Sequence, residues 1–117
     1  MIDILLATYN GEKYIKSQIL SLISQSYTDW RLIIHDDGST DATVDIIKEL
    51  SVIDNRIRLI EDGVSCKSAA LNFMHLLKYS TSRYIMFCDQ DDIWFDNKVE
   101  YMYLSLIHIS EPTRRTP

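Results

Sequence analysis

An uncharged, largely apolar run that leads directly into a cluster of aspartates constrains this chain most. Residues 84–88 (YIMFC) carry no charge, and Asp89, Asp91 and Asp92 follow within four positions. A short apolar run rich in β-forming residues is typical of a strand that is buried on both faces of a parallel sheet. Ligands of open α/β sheets bind beside the carboxyl ends of the strands. The sequence therefore predicts an acidic ligand site at the end of a buried strand.

The spacing of these aspartates favours a hard divalent cation. In an extended strand Asp89 and Asp91 point the same way, roughly 6.5 Å apart at a rise of about 3.3 Å per residue. Both carboxylates cannot ligate one small ion directly at that distance unless the chain turns. We therefore expect one aspartate to ligate the cation and the other to act through water or on a sugar hydroxyl, because crowded like charges are costly without a cation. The alternative is a solvated acidic turn in which Asp91, Asp92 or Asp96 caps the next helix.

Strand and helix patterns alternate along the whole chain. Alternating β-α-β-α elements predict a parallel sheet with right-handed crossovers and helices on its faces, which is an α/β fold. The predicted strands cover residues 2–8, 30–35, 56–60 and 84–88, and the predicted helices cover residues 12–25, 42–50, 67–79 and 97–103. On the third of these helices we expect Ala70, Met74 and Leu77 to face inward.

Charge and length exclude several classes of protein. The chain has 117 residues and a net charge of −5, which argues against non-specific nucleic-acid binding and against a polybasic membrane anchor. An anionic ligand would therefore need a local cation. No apolar run reaches the ~18 residues of a membrane span, and no secretory leader is visible. Two cysteines without a pattern, Cys66 and Cys88, favour a reducing compartment.

Three polar loops fall at the same predicted edge of the sheet, at residues 8–12, 36–41 and 89–92. Neither the Rossmann G-x-G-x-x-G motif nor the Walker G-x-x-x-x-G-K motif is present, so a glycine loop does not cradle phosphates here. Acidic loops instead suggest a nucleoside diphosphate that is held through a metal, with base and ribose bound by carboxylates. Asp37, directly before Gly38, is the better ligand candidate, and we expect Asp41 to cap the second helix.

These motifs carry a resemblance to a known family. The segments ATYNGE at 7–12, QSY at 25–27, DDGSTD at 36–41 and DQDD at 89–92 resemble the family 2 glycosyltransferases of the GT-A fold, in the right order and at suitable spacing. The likeness covers nearly all of residues 2–103. The sequence CDQDDIW at 88–94 is most similar to the branch that includes rhamnosyltransferases of bacterial surface polysaccharides.

The resemblance implies a role for individual residues. Asp37 would bind the edge of the nucleobase, Asp91 would ligate Mg²⁺ or Mn²⁺ directly, and Asp89 would lie near the ribose or in the water shell of the metal. Lys67 would assist at the diphosphate. The residues that the resemblance assigns to the nucleotide sugar are Ala7, Thr8, Tyr9, Asn10, Glu12, Asp37, Lys67, Asp89 and Gln90, and the metal ligands are Asp91 and Asp89.

The resemblance also implies the reaction and the partners. Sugar would pass from dTDP-rhamnose or a UDP-sugar, with inversion, to a growing cell-surface glycan or lipid-linked glycan at the cytoplasmic face of the membrane, with peripheral membrane association of the whole enzyme. Members of this family take their catalytic base from the second half of the protein. No residue of this chain can be assigned that role, and we expect the 117-residue chain to be inactive by itself.

Residues 104–117 break from the preceding pattern. The sequence from Leu104 onward resembles a translated sequencing adapter, so we expect residues 1–103 to be the nucleotide-sugar-binding part and residues 104–117 to be a non-native tail. A natural edge strand or tail is the alternative for this segment.

Two other classes remain as alternatives for the chain. One is a nucleotide-binding module without catalysis. The other is a receiver-type signalling domain, which is disfavoured because the first strand ends on residues 8–10 (TYN) and not on an acidic pair. We expect His35 to be a hydrogen-bonded core or edge histidine, His75 to have no partner, and Trp94 to pack in the core instead of stacking on sugar.

Overall fold

The computed structural model describes residues 1–90 and 93–110, and residues 105–110 by their backbone alone. Asp91, Asp92 and residues 111–117 lie outside the described residues. Within the described part of the chain, no helix combines the length and the apolar character that crossing a membrane requires.

Four parallel strands form one sheet in the order β3-β2-β1-β4. The register pairs Ile2 with Trp30 and with Tyr84, so β1 lies between β2 and β4. This arrangement confirms the predicted α/β class and parallel sheet. The strands are β1 (Ile2–Thr8), β2 (Trp30–Asp36), β3 (Ile57–Ile60) and β4 (Tyr84–Cys88).

A helix follows every strand, as the alternating pattern predicts. The first helix is shorter than predicted because residues 12–14 form a turn, in which the Ile15 amide donates to the carbonyl of Gly11 at 2.9 Å. The fourth helix continues past position 103, where the predicted native part ends, so residues 104–110 are helical and do not form the edge strand considered above. The helices are α1 (Ile15–Ile23), α2 (Thr43–Ile53), α3 (Ala69–Leu77) and α4 (Lys98–Ser110).

Apolar side chains fill both faces of the central strands. Alternate residues of a strand point to opposite faces, so Ile4 and Leu6 join the larger core under α1 and α2, whereas Leu5 packs with Leu76 of α3. Trp94 is buried in the larger core, which agrees with the predicted packing role. The two faces together hold β1 completely out of water.

The prediction that residues 84–88 are buried on both faces is wrong. Met86 and Cys88 are buried, but Ile85 and Phe87 of the same strand are exposed, Phe87 by 53%. The reason is the position of α3, which packs on β1 and β2 and leaves the outer face of β4 largely uncovered. Strand β1 is buried on both faces along its whole length, and β2 is so over most of its length.

The predicted inner face of α3 is also wrong. Met74 is 62% exposed, and Ala70 and Leu77 are exposed as well, whereas Asn72 and Leu76 are buried. Asn72 faces inward because its side chain hydrogen-bonds His35 of β2. Apolar periodicity does not identify a buried asparagine, so it predicts the wrong inner face for this helix.

A buried carboxylate anchors the amino-terminal edge of the sheet. Asp3 of β1 accepts two parallel hydrogen bonds from Arg31, both at 3.0 Å. It also accepts hydrogen bonds from the hydroxyls of Ser80 and Ser82 and from two backbone amides of the turn before β4. Burial by itself raises the pKa of Asp3, but the hydrogen bonds from Arg31, Ser80 and Ser82 outweigh it and hold the pKa well below its usual range.

Candidate functional site

The carboxyl ends of β1 and β2 bring the first two polar loops together. Thr8 donates its hydroxyl proton to Asp36 at 2.7 Å, and the Asp37 amide donates to the carbonyl of Thr8 at 2.9 Å. Asp36 also accepts from the amide and hydroxyl of Ser39, so its carboxylate closes the second loop on itself. Both loops therefore sit at fixed positions beside the strand ends.

A cleft of about 410 Å³ lies at this edge. Its size is within the range of small-ligand pockets, which is roughly 300–1,000 Å³. Six of the residues that were predicted to bind the nucleotide sugar line the cleft: Ala7, Thr8, Tyr9, Asp37, Lys67 and Gln90. The remaining walls come from the loop before α3 and from its first turns, with Ser65, Ser68, Ala69 and Asn72.

Asp37 orders the loop that closes one side of the cleft. Its carboxylate accepts hydrogen bonds from the backbone amides of Cys66 at 2.5 Å and Lys67 at 2.8 Å. Lys67 has a positive φ of 65°, and Ser68 then caps α3 by accepting a hydrogen bond from the Leu71 amide at 3.1 Å. A carboxylate has about four acceptor sites, so Asp37 keeps acceptor capacity toward a ligand.

Gln90 clamps the first loop against the end of β4. Its side-chain oxygen accepts from the Tyr9 amide at 2.8 Å, and its side-chain nitrogen donates to the Tyr9 carbonyl at 3.0 Å. Gly11 lies directly behind this amide, since a Cβ at Gly11 would come within 2.9 Å of the Gln90 side-chain oxygen. Both polar ends of the Gln90 side chain are thus engaged with the backbone of Tyr9.

Asn10 and Glu12 lie outside the lining of the cleft. Asn10 has a positive φ of 48°, its amide donates to Ser39, and its side-chain oxygen accepts from the Thr40 amide at 2.8 Å. The amide of Glu12 donates to Asp41 at 3.2 Å. The assignment of Asn10 and Glu12 to the nucleotide sugar stays a prediction, and their described contacts join the first loop to the second.

The N-cap of α2 is Ala42, whose side chain makes no capping hydrogen bond, so the prediction that Asp41 caps this helix is wrong by one residue. Asp41 still bonds the first residue of the helix. Its carboxylate accepts a hydrogen bond from the amide of Thr43, the first residue of α2, at 3.0 Å. It also accepts from the Glu12 amide, so one carboxylate holds the start of α2 against the first loop.

Asp89 is exposed at the end of β4, beyond the lining of the cleft. Its carbonyl accepts a hydrogen bond from the side-chain nitrogen of Gln18, a fully buried residue of α1 that also contacts the Cys88 sulfur at 3.3 Å. Asp91, the predicted direct metal ligand, falls outside the described residues. Gln18 was missed in the sequence, because a single glutamine inside an amphipathic helix gives no signal.

A second glutamine, Gln25, lies just after the end of α1 and fixes the segment that follows the aspartates. The buried side chain of Gln25 donates to the carbonyl of Phe95 at 2.6 Å and accepts from the Val99 amide at 2.9 Å. Ser26 reinforces this link through its hydroxyl, which donates to Glu100 at 2.7 Å. These contacts give a physical reason for the QSY segment that the resemblance singled out.

The expectation that His75 has no partner is wrong. His75 Nε2 lies 2.6 Å from Asp62 Oδ2, and Tyr79 donates its hydroxyl proton to the same oxygen at 2.7 Å. Hydrogen bonds from Tyr79 and His75 hold the pKa of the Asp62 carboxyl well below its usual range. His35 is a buried, hydrogen-bonded histidine as expected, and it contacts Asn72 and Asp62.

Comparison with solved structures defines the class of protein. The mannosyltransferase PcManGT from Pyrobaculum calidifontis, solved in complex with GDP-Man and Mn²⁺, superposes on 96% of this chain with a TM-score of 0.80 and 18% sequence identity. The chain covers 33% of that structure. The parallel four-stranded sheet with flanking helices is therefore an α/β fold of the kind found in GT-A glycosyltransferases.

The sequence comparison then gives the family. The model of Glycosyl transferase family 2 matches residues 3–108, and the chain belongs to this family. Family membership leaves the receiver-type alternative without support.

Two curated relatives show the range of the family around this chain. A UDP-Glc:alpha-D-GlcNAc-diphosphoundecaprenol beta-1,3-glucosyltransferase of Escherichia coli, WfgD, is 38% identical over 107 residues. The dTDP-rhamnosyl transferase RfbG of Shigella flexneri is 37% identical over 99 residues. These alignments cover 92% and 81% of this chain, and 41% and 34% of the relatives. The chain thus spans about two fifths or less of either relative.

Proposed function

We propose that this chain is the donor-binding part of a glycosyltransferase that moves a sugar from a nucleoside diphosphate sugar to a cell-surface polysaccharide acceptor. The observation that carries the proposal is the cleft at the carboxyl ends of β1 and β2, in which Tyr9, Asp37 and Lys67 meet. Such an edge is where open α/β sheets bind ligands, and the chain belongs to a glycosyltransferase family.

The described residues suit the parts of a nucleoside diphosphate. Ala7, Thr8 and Tyr9 form a wall for base and ribose, and Asp37 offers acceptor capacity to the N–H edge of a pyrimidine base. Lys67 also lines the cleft, and its ammonium group would lie against the diphosphate. The relatives act on UDP-glucose and on a dTDP-linked rhamnose by their names, which supports a UDP- or dTDP-sugar as the donor.

A divalent cation, Mg²⁺ or Mn²⁺, fits the donor set beside this cleft. Asp89 presents an exposed carboxylate at the end of β4, and oxygen ligands of this kind are the ones that Mg²⁺ and Mn²⁺ prefer. Asp91 would be the direct ligand, with Asp89 near the ribose or in the water shell of the metal. When bound, the metal supplies charge compensation for the nucleoside diphosphate leaving group.

The base that activates the acceptor is not assigned to any residue of this chain. An inverting transfer needs a base that deprotonates the acceptor hydroxyl, and no residue of this chain is assigned that role. We therefore propose that the chain binds the donor without transferring sugar, which is also how a binding module without catalysis would behave. One relative is named for a diphosphoundecaprenol-linked acceptor, which supports a lipid-linked glycan as the acceptor.

Calorimetric titration of UDP and dTDP into the chain, with and without Mn²⁺, tests this proposal. We expect binding that depends on the metal and falls at least about tenfold in Asp91→Ala, because the diphosphate then loses its cation bridge. Asp45→Ala is the matched control, since Asp45 is an exposed aspartate on α2 away from the cleft lining. The proposal is contradicted by a folded chain that binds neither UDP nor dTDP. It is also contradicted if the affinity for these nucleotides is the same with and without the metal.

A further inference from the structure

Three side chains from three different elements converge beside α3. His35 comes from β2, Asp62 from the loop after β3, and His75 from α3, and their ligand atoms all lie within 4.8 Å of one another. His35 Nε2 lies 3.2 Å from Asp62 Oδ1, and His75 Nε2 lies 2.6 Å from Asp62 Oδ2. Their side chains are 2%, 21% and 13% exposed in the order His35, Asp62, His75. We call these residues the His-Asp-His cluster.

Hydrogen bonding fixes the tautomer of His35. The Asn72 side-chain nitrogen donates to the His35 carbonyl at 3.1 Å, which turns the Asn72 side-chain oxygen toward His35 Nδ1 at 2.7 Å. That oxygen is an acceptor only, so Nδ1 must carry the proton. In the neutral ring Nε2 therefore has a free lone pair, and it faces a carboxylate oxygen.

The lone pair of neutral His35 Nε2 and the Asp62 Oδ1 oxygen are both acceptors, and they lie 3.2 Å apart. Such a contact is favourable only if a cation lies between the two atoms or if His35 carries a second proton. The Asp62 carboxylate is held in place by donors on other sides, because Tyr79 donates to Oδ2 at 2.7 Å and the Val64 amide donates to Oδ1 at 3.1 Å. It therefore keeps its orientation toward both histidines. Either a second proton on His35 or a cation that the three groups share would relieve the contact.

We propose that His35 Nε2, His75 Nε2 and the Asp62 carboxylate form a binding site for a divalent transition-metal ion of the Zn²⁺ class. Two imidazole nitrogens with one carboxylate suit Zn²⁺, Co²⁺ or Ni²⁺, whereas Mg²⁺ and Ca²⁺ prefer oxygen alone. Tetrahedral Zn²⁺ with bonds of about 2.0–2.1 Å separates its ligand atoms by roughly 3.3 Å. The His35–Asp62 separation of 3.2 Å already fits this spacing, and the 2.6 Å between His75 Nε2 and Asp62 Oδ2 would widen as a metal replaces the hydrogen bond.

The surroundings of the cluster resemble the second layer of a metal site. A ligating histidine commonly donates its other ring N–H to a carbonyl or carboxylate, which fixes the ring and its tautomer. Asn72 does this for His35, and Tyr79 and Val64 do the equivalent for Asp62. The fourth position of a tetrahedral ion would belong to water on the side of His75, the less buried histidine.

Such an ion would stabilise the wall of the donor cleft without taking part in transfer. Asn72 both lines the cleft and holds His35, and the first turn of α3 contributes further wall residues. A metal on the cluster would tie α3 to β2 and to the loop after β3. The site is separate from the aspartates at the end of β4 and needs none of them, so it stands independently of the proposed function.

Titration of chelator-treated chain with Zn²⁺, and with Co²⁺ followed by visible absorption, tests the inference. We expect one equivalent to bind, with an intense tetrahedral Co²⁺ spectrum. His75→Gln should weaken binding at least about tenfold, and Asp62→Asn should do the same. Asp89→Asn is the control because it removes a carboxylate at the end of β4, which is not a member of the cluster.

Either variant of the cluster suffices if the other fails to fold. Zn²⁺ affinity that is equal in the starting chain, in His75→Gln and in Asp62→Asn overturns the inference, as does a weak octahedral Co²⁺ spectrum. Loss of binding in Asp89→Asn with retention in His75→Gln overturns it too, because the ion would then sit at β4. Nitrogen NMR of the imidazoles gives a direct readout, since Zn²⁺ should shift His35 Nε2 and leave Nδ1 protonated.

Discussion

Single polar side chains set the shape of the candidate site. Asp37 holds the loop before α3 through two backbone amides, and Gln90 holds the loop after β1 through both polar groups of Tyr9. Each contact joins segments that are far apart in sequence. The cleft is therefore built by side chains that bind backbone, and its walls are in place before a ligand arrives.

Gly11 and Gln90 should be energetically coupled. A methyl group at Gly11 would come within 2.9 Å of the Gln90 side-chain oxygen, so Gly11→Ala must displace the amide that clamps Tyr9. We expect Gly11→Ala to lower the free energy of unfolding by about 1–3 kcal/mol. In a Gln90→Ala background the same change should cost much less, because the obstacle is gone. Urea denaturation of the four chains measures this, and equal costs in both backgrounds would contradict the coupling.

From the sequence it could be predicted which loops meet, whereas the roles of their residues in binding stay predictions. Residues 7–9, Asp37, Lys67 and Gln90 lie around one cleft, as expected for loops that follow parallel strands. The function of Gln90 could not be inferred, because its partner Tyr9 is 81 positions away. The partner of His75 was missed for the same reason, since Asp62 lies in a loop whose path the sequence pattern does not determine.

At the scale of elements, apolar periodicity located the strands and helices but not all of their faces. Each predicted strand is present within about one residue of its predicted bounds. The predicted face of α3 was wrong because Asn72 faces inward, where its side-chain nitrogen donates to the His35 carbonyl, so apolar burial alone does not set the rotation of the helix. Burial of β4 was overestimated because strand order and helix placement decide which strands are covered.

The Asp3 network joins β1, β2 and the turn before β4, and it should make the chain sensitive to acid. The folded-state pKa of Asp3 is depressed, so the unfolded chain takes up the proton first as the pH falls. Its stabilisation is present above the unfolded pKa of about 3.9 and is lost progressively as the pH falls below that value toward the folded pKa. The urea concentration at the midpoint of unfolding should therefore decrease as the pH is lowered from above about 3.9 toward the folded-state pKa.

Asp3→Asn provides the control for this prediction. The amide leaves Arg31 without its buried partner, and we expect a loss of about 3–5 kcal/mol at neutral pH. The acid dependence of the variant should be shallower than that of the starting chain, with the remaining slope contributed by groups such as Asp62, whose pKa is also depressed. If stability falls with pH at the same slope in both chains, Asp3 is not the source of the acid sensitivity.

At the scale of the whole molecule, stability and ligand chemistry lie at opposite edges of one sheet. The Asp3 network anchors the amino-terminal edge, and the cleft, the loops and Asp89 occupy the carboxyl edge. Loops on a rigid scaffold can carry binding residues without loss of the core. This division is what the donor-binding role proposed above requires.

Amide chemical-shift mapping of the ¹⁵N-labelled chain during titration with UDP and the diamagnetic ion Mg²⁺ tests the central claim most directly. The account predicts that the shifts concentrate on residues 7–9, 37 and 66–68, which surround the cleft, and that residues 80–82 at the opposite edge stay unchanged. Shifts centred on residues 80–82, or a folded chain whose spectrum does not respond to UDP or dTDP, would contradict the assignment of this cleft as the donor site.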